Sequence, residues 1–390
     1  MKTETVKGFQ DITGKDAIKL SEIKKKIVDN FEVYGFEPVE TPVVEYEEFV
    51  KGNNTEDEAV SDIFKLSDKG GRKLALRYEF TFQLKRLMKN QKLPYKRYQI
   101  GPVFRDEPIS ANRFRQFTQC DIDVIGSAIE NEAEILACVS RTFKKLGINF
   151  EINFNNRKLL NEILEKENIE EIDREKVIRE LDKLDKLSEG EVENNLRGFG
   201  AQGLLKIFKK PEKYFEKYSG FKELIELKKS CKEYGVKINF QPSLARGLSY
   251  YNGSVFEIKT KKYKESLGGG GSYMFHNVQC SGISFSIERL LPLVKIGSFE
   301  LVKCLVISIG KDKEAVKLSE KLRDEGISCS VFFGKPSKAL EYSNSKEIKK
   351  VIFVGDDEVK KGKVTLKNME TGKEEKVAFK SVVKFLLKNK

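Results

Sequence analysis

The stretch between residues 103 and 123 combines arginines, carboxylates and aromatic side chains closely enough to do chemistry together. Arg105, Arg113 and Arg115 each have a phenylalanine beside them. Arginine binds phosphate or carboxylate groups through paired hydrogen bonds, and a neighbouring phenylalanine can supply a stacking face. The pattern is compatible with a phosphate-binding site, and equally with a surface hairpin that carries cross-strand ion pairs.

The element that must position these residues is a β-hairpin. Residues 98–104 are β-prone and residues 119–125 alternate apolar and polar side chains, which predicts two strands. Pro108, Ser110 and Asn112 mark the loop between them. The predicted hairpin spans residues 96–123.

Composition excludes several kinds of chemistry. The six cysteines form no Cys-x-x-Cys pair, which argues against a zinc site or a disulfide framework and fits a reducing cytoplasm. His276 is the single histidine, which leaves no cluster of histidines for a metal and argues against a histidine-based triad. The sequence has no apolar run long enough to cross a membrane and no apolar signal core near its start. Any chemistry must therefore use carboxylates, arginines, backbone amides or a metal held by oxygen ligands.

The net charge of +12 is unevenly distributed along the 390 residues, which are enough for two or three domains. Residues 301–390 contain 21 lysines and arginines against 13 acidic residues, a net charge of +8. A basic segment that is also patterned for folding favours a polyanionic partner, nucleic acid first. A generally lysine-rich proteome is the alternative explanation.

The N-terminal part predicts a helix followed by a proline-bearing strand. Apolar residues repeat at helical spacing over residues 15–33, and Gly35 ends the helix. Residues 36–44 are β-prone but contain Pro38 and Pro42, which place a strand at a sheet edge or at an interface. This strand could pack against a second copy of the chain or remain a monomeric edge.

A second strand, over residues 74–81, is predicted to run into a helix that continues to about Asn90. Glu79 and Thr81 lie at the junction, where side chains at a strand end commonly line a pocket. Thr81 could equally be the N-cap of the helix. Another amphipathic helix is predicted over residues 130–146.

Between about residues 155 and 237 the sequence is dominated by charged residues with strong helical periodicity, and strand signals occur only at the ends. We interpret this part as a separate helical insertion. It could be a spacer or could contact a partner.

Strand signals resume after the insertion. Asn252 and Gly253 predict a hairpin turn, which would place Arg246 and Tyr251 near a strand end. The four glycines at 268–271 would let the backbone approach a ligand closely, or would form a plain flexible loop.

A further strand is predicted to begin at Gly282 and to run into a helix at Arg289. Gly282, Ser284 and Ser286 point to one face of this strand, which leaves room over it for a flat ligand. Arg289 would lie beside that space.

Residues 301–390 alternate strands with helices, which predicts a separable α/β unit with helices on the faces of a small sheet. The predicted strands are 305–309, 329–333, 351–354 and 363–367, and the predicted helices are 312–325, 337–342 and 378–388.

In the order of its segments the chain resembles histidyl-tRNA synthetases, which are class II aminoacyl-tRNA synthetases, almost from end to end. Residues 36–42 resemble motif 1 of the class, which forms the dimer. Residues 104–107 with 113–117 resemble motif 2, and residues 282–289 resemble motif 3. The whole class shares these three motifs, so they imply only the type of reaction.

The resemblance to the histidine-specific family depends on other stretches. Leu-Ala-Arg-Gly-Leu-Ser-Tyr-Tyr at residues 244–251 is similar to the histidine signature of that family. Residues 76–81 and 119–123 resemble its eukaryotic and archaeal branch.

For the nucleotide, the resemblance implies two catalytic arginines. Arg105 would hold the α-phosphate of ATP and the histidine carboxylate, and Arg246 would lie on the opposite side of that phosphate. The remaining ATP-binding residues would be Glu107 and Phe117 on the adenine, and Arg113 and Arg289 on the γ-phosphate.

For the amino acid, the resemblance implies that Glu79, Thr81 and Gln119 bind the α-amino group. A ring with two nitrogens needs an acceptor at one and a hydroxyl at the other, and a pocket that pairs both rejects apolar analogues. The residues that would complete the histidine site are Asp123, Tyr250, Tyr251 and Tyr273, together with Arg105 and Arg246.

Three departures from the family pattern are present. Ser249 stands where the family usually has Asp, which would weaken the local charge near the substrate amine. Ser284 and Ser286 stand where motif 3 often has glycine, but both are small. Asp123 is one methylene shorter than the Glu of the bacterial branch.

The resemblance implies an α+β fold in which an antiparallel class II sheet is flanked by helices. The expected parts are a catalytic domain in two pieces (1–155 and 236–298), a helical insertion (156–235) and a C-terminal α/β anticodon-binding domain (301–390). The implied activity is ATP-dependent ligation of L-histidine to tRNA(His) through a histidyl-adenylate, with Mg²⁺, in a cytoplasmic homodimer formed through the motif 1 region. Metal ligands are not assigned.

Two alternatives stay open. The chain could be a catalytically silent paralogue, such as a regulatory subunit of ATP phosphoribosyltransferase or a tRNA sensor, although it keeps Arg246 and a full C-terminal domain. It could also be a class II synthetase for another amino acid, which the Arg-Gly-Leu-x-Tyr-Tyr pattern argues against.

Overall fold

An eight-stranded sheet organises the first of two compact units, residues 1–296. The computed structural model describes residues 2–52, 58–110, 113–185, 187–246, 249–294 and 302–388. Of the predicted features, Asn112 in the hairpin loop and residues 247–248 in the signature lie outside these ranges. The strands of this unit are β1 (Glu37–Pro38), β2 (Val44–Tyr46), β3 (Lys65–Ser67), β4 (Lys73–Leu76), β5 (Tyr95–Phe104), β6 (Gln116–Ile125), β7 (Glu151–Asn156), β8 (Asn239–Phe240), β9 (Tyr251–Lys259), β10 (Gly268–Phe275) and β11 (Val278–Ser286).

The large sheet has the order β1-β5-β6-β11-β10-β9-β7-β8, while β2, β4 and β3 form a small sheet of their own. Six central strands are antiparallel, and a short parallel strand lies at each edge. The helices of the unit are α1 (Gly14–Val33), α2 (Glu47–Lys51), α3 (Glu58–Ser61), α4 (Leu84–Leu87), α5 (Ile129–Lys145), α6 (Arg157–Lys166), α7 (Glu171–Asp182), α8 (Glu189–Arg197), α9 (Leu204–Phe208), α10 (Phe221–Glu233) and α11 (Ile287–Leu290).

Helices α1 and α5 cover one face of the large sheet, and successive side chains of β6 alternate between that covered face and the opposite face. Cys120, Ile122 and Val124 are fully buried in the same hydrophobic cluster as Phe31 of α1 and Leu136 of α5. Because successive side chains of a strand point to opposite faces, the intervening residues share the other face. Those residues are Gln119, Asp121 and Asp123.

The helix predicted over residues 15–33, the hairpin and the helix over 130–146 are confirmed as α1, β5–β6 and α5. The single strand predicted over residues 36–44 is wrong. β1 pairs with β5 at the edge of the large sheet, whereas β2 pairs with β4 in the small one. Pro42 lies between them and lacks the N–H that would continue the first ladder.

The strand predicted to reach Thr81 ends earlier, at Leu76. Arg77 connects the two sheets, since its N–H donates to Val43 O at 3.0 Å and its carbonyl accepts from Phe104 N at 3.0 Å. The segment that follows is irregular, and the predicted N-cap role of Thr81 is wrong because α4 begins after Gln83.

The predicted hairpin turn at Asn252-Gly253 is also wrong, because both residues lie within β9. Tyr251 nevertheless begins that strand, as predicted. The four glycines are the start of the central strand β10 rather than a flexible loop. A Cβ at Gly270 would lie 2.0 Å from Gly282 O, so the close strand packing requires glycine there.

The predicted helical character of residues 155–237 is confirmed by α6 to α10. Leu160 of α6, Ile178 of α7 and Leu224 of α10 are buried in the same hydrophobic cluster as β6. The helical segment therefore shares its core with the sheet.

The second unit, residues 297–390, contains a five-stranded sheet with the order β13-β12-β14-β15-β16. The strands are β12 (Cys304–Ser308), β13 (Cys329–Phe333), β14 (Lys350–Val354), β15 (Lys363–Asn368) and β16 (Glu374–Ala378). The helices are α12 (Asp312–Asp324), α13 (Pro336–Ser345), α14 (Asp356–Lys360) and α15 (Val382–Lys388). The prediction missed β16 and α14, because the first is a largely polar edge strand and the second has five residues.

Within the described ranges, no helix has the length and apolar character needed to cross a membrane.

Candidate active site

A cavity of about 240 Å³ opens on the face of the large sheet opposite α1 and α5. Its lining comes from β6, β9, β10 and β11, from the irregular segment after β4 and from the connection between β5 and β6, with further residues from α7, α11 and the segment before β9. Twelve of the predicted site residues line it: Glu79, Thr81, Arg105, Glu107, Arg113, Gln119, Asp123, Arg246, Tyr250, Tyr251, Tyr273 and Arg289.

Phe117 is the predicted residue that does not line the cavity directly. Its ring centre lies 5.3 Å from the guanidinium carbon of Arg105, which makes a cation–π contact. It remains at the edge of the arginine cluster, and its predicted contact with adenine stays a prediction.

One end of the cavity carries clustered guanidinium groups. Burial lowers the pKa of Arg289 to about 10, and repulsion by the neighbouring Arg113 and Arg105 adds to that decrease. Glu107 offsets part of that charge, since Arg113 Nη1 lies 3.1 Å and Arg105 Nη1 lies 3.7 Å from its carboxylate. The hairpin therefore carries ion pairs and also presents its arginines to the cavity.

Backbone carbonyls hold two of these arginines in place. Arg105 Nε donates to Tyr78 O at 3.1 Å, and Arg289 Nη1 donates to Ser266 O at 2.9 Å. Fixed guanidinium groups suit an anion such as phosphate, because they need little reorganisation when charge develops.

Arg246 also lines the cavity and lies against β10. A Cβ at Gly269 would be 2.7 Å from its guanidinium carbon, so the glycine allows the arginine to lie against the strand. Arg246 Nη1 is 3.5 Å from the buried carboxylate of Glu257, which the sequence reasoning missed.

The other end of the cavity contains buried carboxylates. Tyr273 donates its hydroxyl hydrogen to Asp123 Oδ1. Arg97, which is fully buried, brings Nη2 to 2.6 Å from Asp123 Oδ2. Burial raises the pKa of Asp123, and Arg97 and the Tyr273 hydroxyl oppose that rise.

Glu79 faces the same region. Burial raises its pKa to about 7, with Arg105 acting in the opposite direction and Asp123 adding to the rise. Tyr250 donates to Glu79 Oε2 at 3.4 Å. A buried carboxylate of this kind is well suited to bind an ammonium group, whose positive charge would favour its ionised form.

The sequence reasoning missed further acidic residues of the lining: Asp62, Asp121, Asp182 and Glu265. Asp121 could have been found, because it shares the β6 face of Gln119 and Asp123. Burial raises its pKa well above the usual range, against the effect of Arg97.

The arrangement suits a ligand with a negative and a positive end. The cavity holds a cluster of cationic side chains (Arg105, Arg113 and Arg289) and a cluster of buried carboxylates (Glu79, Asp121 and Asp123), and Arg105 is close enough to Glu79 to act on its pKa. An amino acid bound with its carboxylate toward the arginines would also present that carboxylate to an adjacent phosphate.

Residues 8–290 match the family model described as "Histidyl-tRNA synthetase". The chain belongs to the histidyl-tRNA synthetase family. Residues 303–389 match the model "Anticodon binding domain". The histidyl-tRNA synthetase resemblance and the α+β architecture predicted from the sequence are thus confirmed.

Curated members of the histidyl-tRNA synthetase family align over nearly the whole chain. "Histidine--tRNA ligase 2" of Shouchella clausii is 33% identical over 96% of this chain and 98% of its own length. "Histidine--tRNA ligase" of Wolinella succinogenes is 35% identical over 94% of each chain. Both are bacterial, so the predicted placement in the eukaryotic and archaeal branch stays a prediction.

Solved structures share the fold. The histidyl-tRNA synthetase of Nostoc sp. PCC 7120 has a TM-score of 0.86 at 24% identity, with both chains fully covered. A Bacillus halodurans structure titled "ATP phosphoribosyltransferase regulatory subunit/histidyl-tRNA synthetase" has a TM-score of 0.77 at 20% identity over 90% of this chain and 98% of its own.

Proposed function

We propose that this protein ligates L-histidine to tRNA(His) through a histidyl-adenylate made from ATP. The observation that carries the proposal is one cavity with clustered arginines at one end and the Arg97–Asp123–Tyr273 group at the other. In the first step a carboxylate oxygen of histidine attacks the α-phosphorus of ATP and pyrophosphate leaves. In the second step a terminal ribose hydroxyl of tRNA attacks the carbonyl carbon and AMP leaves.

Arg105 and Arg246 are the residues we assign to the reacting centre. Attack of a carboxylate on ATP builds negative charge between two groups that already repel one another. Guanidinium groups on both sides of the α-phosphate offset that charge, and loss of one such donor typically costs about 10²–10³-fold in rate. Arg113 and Arg289 would hold the leaving pyrophosphate.

The buried carboxylates of the cavity and the residues around them would recognise histidine. Glu79, Thr81 and Gln119 would bind the α-ammonium group. Asp123 would accept from one ring nitrogen, while a tyrosine hydroxyl from Tyr251 or Tyr273 would pair with the other. An analogue without ring nitrogens would leave these buried groups unpaired, which is why such a pocket discriminates strongly.

Mg²⁺ is proposed to enter with ATP. Among the described residues no group of three or more His, Cys, Asp or Glu side chains is arranged to hold a metal ion. Mg²⁺ in nucleotide sites keeps several waters and is held by the phosphates and one or two carboxylates. A cavity with single carboxylates near its arginine cluster fits that manner of binding, and the metal would neutralise phosphate charge when bound.

Two assemblies complete the proposal. The basic second unit, whose family model is an anticodon-binding domain, would bind tRNA(His). A homodimer would form through the motif 1 region, where β1 is a proline-bearing edge strand. The regulatory paralogue is less well supported, because Arg246 and the whole second unit are retained.

ATP–pyrophosphate exchange with each of the twenty amino acids tests the proposal. Exchange should depend on histidine, and Arg246→Ala should remove most of it. Arg197→Ala, on the exposed face of α8, is the matched control and should leave exchange intact. The absence of histidine-dependent exchange in the wild-type protein would overturn the proposed function.

A further inference from the structure

Arg97 lies behind the cavity wall and does not line it. It occupies the β5 position directly opposite Asp123 of β6, and its side chain is fully buried. Nη2 lies 2.6 Å from Asp123 Oδ2 and also donates to Phe80 O at 3.3 Å. The contact with Asp123 is a close ion pair rather than an aligned hydrogen bond, and Nε and Nη1 have no hydrogen-bond partner among the described residues.

A buried guanidinium with two unpaired donors is destabilising, because each donor loses its hydrogen bond to water and gains none in the protein. Packing alone does not account for Arg97, because an apolar side chain of similar volume would avoid that cost. What Arg97 supplies is a positive charge beneath the residues that form the carboxylate end of the cavity.

Two neighbouring carboxylates depend on this one charge. Asp121 and Asp123 are both buried on the same face of β6, and Arg97 opposes the effect of burial on each. Two close carboxylates in a buried site do not readily ionise together. Asp123 is the member that touches Arg97 and accepts from the Tyr273 hydroxyl, so this arrangement favours the ionised form of Asp123 over that of Asp121.

The geometry points to Arg97 as a positioning residue for histidine recognition, a role that rests on the proposed function. Arg97 holds the Asp123 carboxylate charged and fixes Oδ2, while Tyr273 fixes Oδ1. A charged carboxylate held from both sides can only accept a hydrogen bond, so it selects a ligand whose ring offers an N–H. Arg97 thus determines the charge and position of Asp123, the residue that would select histidine, without touching the substrate itself.

The charge on Asp123 also depends on groups from other elements. Glu79 lies on the segment after β4, and its carboxylate interacts with that of Asp123. The titratable and charged groups that face Asp123 are Arg97, Asp121, Glu79, Tyr251, Tyr273 and Cys280. Arg97 is the one among them that is permanently positive.

The test compares Arg97→Met with Arg77→Met in ATP–pyrophosphate exchange between pH 6 and 9. Arg77 is a matched control, since it is 2% exposed and bonded to Pro102 O and Thr41 O but has no ion pair with Asp123. Arg97→Met should raise the KM for histidine about 10- to 100-fold, as expected for loss of a partner of a charged group, and should leave the KM for ATP near its wild-type value. The KM of Arg97→Met for histidine, divided by that of the wild-type protein, should be largest at low pH. Without Arg97, Asp123 of the variant would keep its proton there.

Selectivity gives a second readout. The wild-type protein should bind histidine far better than thienylalanine, whose five-membered ring has no N–H, and Arg97→Met should narrow that difference. Arg97→Lys, which keeps the charge without the planar fork, should restore part of the selectivity, and it serves alone if Arg97→Met does not fold.

The inference is overturned if Arg97→Met raises the KM for ATP as much as that for histidine, if Arg77→Met gives the same pH-dependent ratio, or if selectivity over thienylalanine is unchanged. Complete loss of selectivity over thienylalanine in Arg97→Lys would overturn it as well, because that variant keeps the positive charge on which the inference depends. Failure of the proposed function is distinguishable, because the wild-type protein itself would then show no histidine-dependent exchange.

Discussion

Gly282 of β11 lies directly against the carboxylate of Asp123 on β6. The two are cross-strand partners, and a Cβ at Gly282 would be 1.9 Å from Asp123 Oδ1 and 2.6 Å from its Cγ. The carboxylate therefore occupies the space that any other side chain at position 282 would need. Gly282 fixes the depth at which Asp123 meets a ligand, in addition to any contact that the motif 3 strand makes with ATP.

Gly282→Ala should displace Asp123 and weaken histidine binding. The carboxylate is clamped by Arg97 and Tyr273, so it cannot move aside without losing a partner. We expect the KM for histidine in pyrophosphate exchange to rise by roughly 10-fold or more, as for loss of one charge-assisted hydrogen bond. Gly190→Ala is the control, because a Cβ there meets nothing within 4 Å. A wild-type KM in Gly282→Ala would contradict this view of the pocket.

Glu79 should make histidine binding dependent on pH. Burial raises its pKa to about 7, so the ligand-free protein holds Glu79 partly protonated at neutral pH. Binding of the α-ammonium group requires the ionised form, so the KM for histidine should fall as pH rises through about 7. Glu79→Gln should raise the KM and flatten this dependence.

The same shift predicts the sign of a stability change. A carboxyl group whose pKa is raised on folding stabilises the folded protein fully at pH values below 4.5, the pKa of the group in the unfolded chain. That contribution is lost as the pH rises toward about 7, the pKa of the group in the folded protein. The free energy of unfolding of the wild-type protein, relative to Glu79→Gln, should therefore decrease between about pH 4.5 and 7. Urea titrations across this range measure it, and a pH-independent difference would show that Glu79 titrates normally.

The sequence predicted the hairpin and most of the cavity because these depend on local pattern. Apolar and polar side chains alternate along residues 119–125, so the pattern predicts which of them lie in the core and which face the cavity. Small residues in β11 likewise predict the face of that strand that leaves room for a ligand. The predicted turn at Asn252-Gly253 and the possible loop at the four glycines were wrong because turn propensity is a local property. Strands β9 and β10 are instead stabilised by pairing with other strands of the sheet. Arg97 was missed because its role exists only across the β5–β6 register.

Arg289 should not be replaceable by lysine. Burial, Arg113 and Arg105 lower its pKa to about 10, yet an arginine still stays protonated at neutral pH. A lysine starts near 10.4, so the same environment would bring its pKa to roughly 8. We expect the KM for ATP of Arg289→Lys to rise as pH increases above roughly 8, while the wild-type value stays flat. A parallel pH profile for both proteins would contradict the prediction.

The basic second unit should carry sequence-independent affinity for tRNA. Lys313, Lys317 and Lys321 are exposed and spaced four residues apart on α12, so they share one helix face. Each lysine that neutralises a phosphate releases a counterion, so replacing all three by glutamate should weaken tRNA(His) binding and reduce the slope of log K against log salt by up to about 3. Binding isotherms from 50 to 200 mM salt measure both quantities. Histidine-dependent pyrophosphate exchange in the same variant is the internal control, because the residues that line the cavity all belong to the first unit. If exchange fell as much as tRNA binding, the assignment of tRNA binding to this unit would be wrong; if binding and slope were both unchanged, the α12 face would lie away from the tRNA.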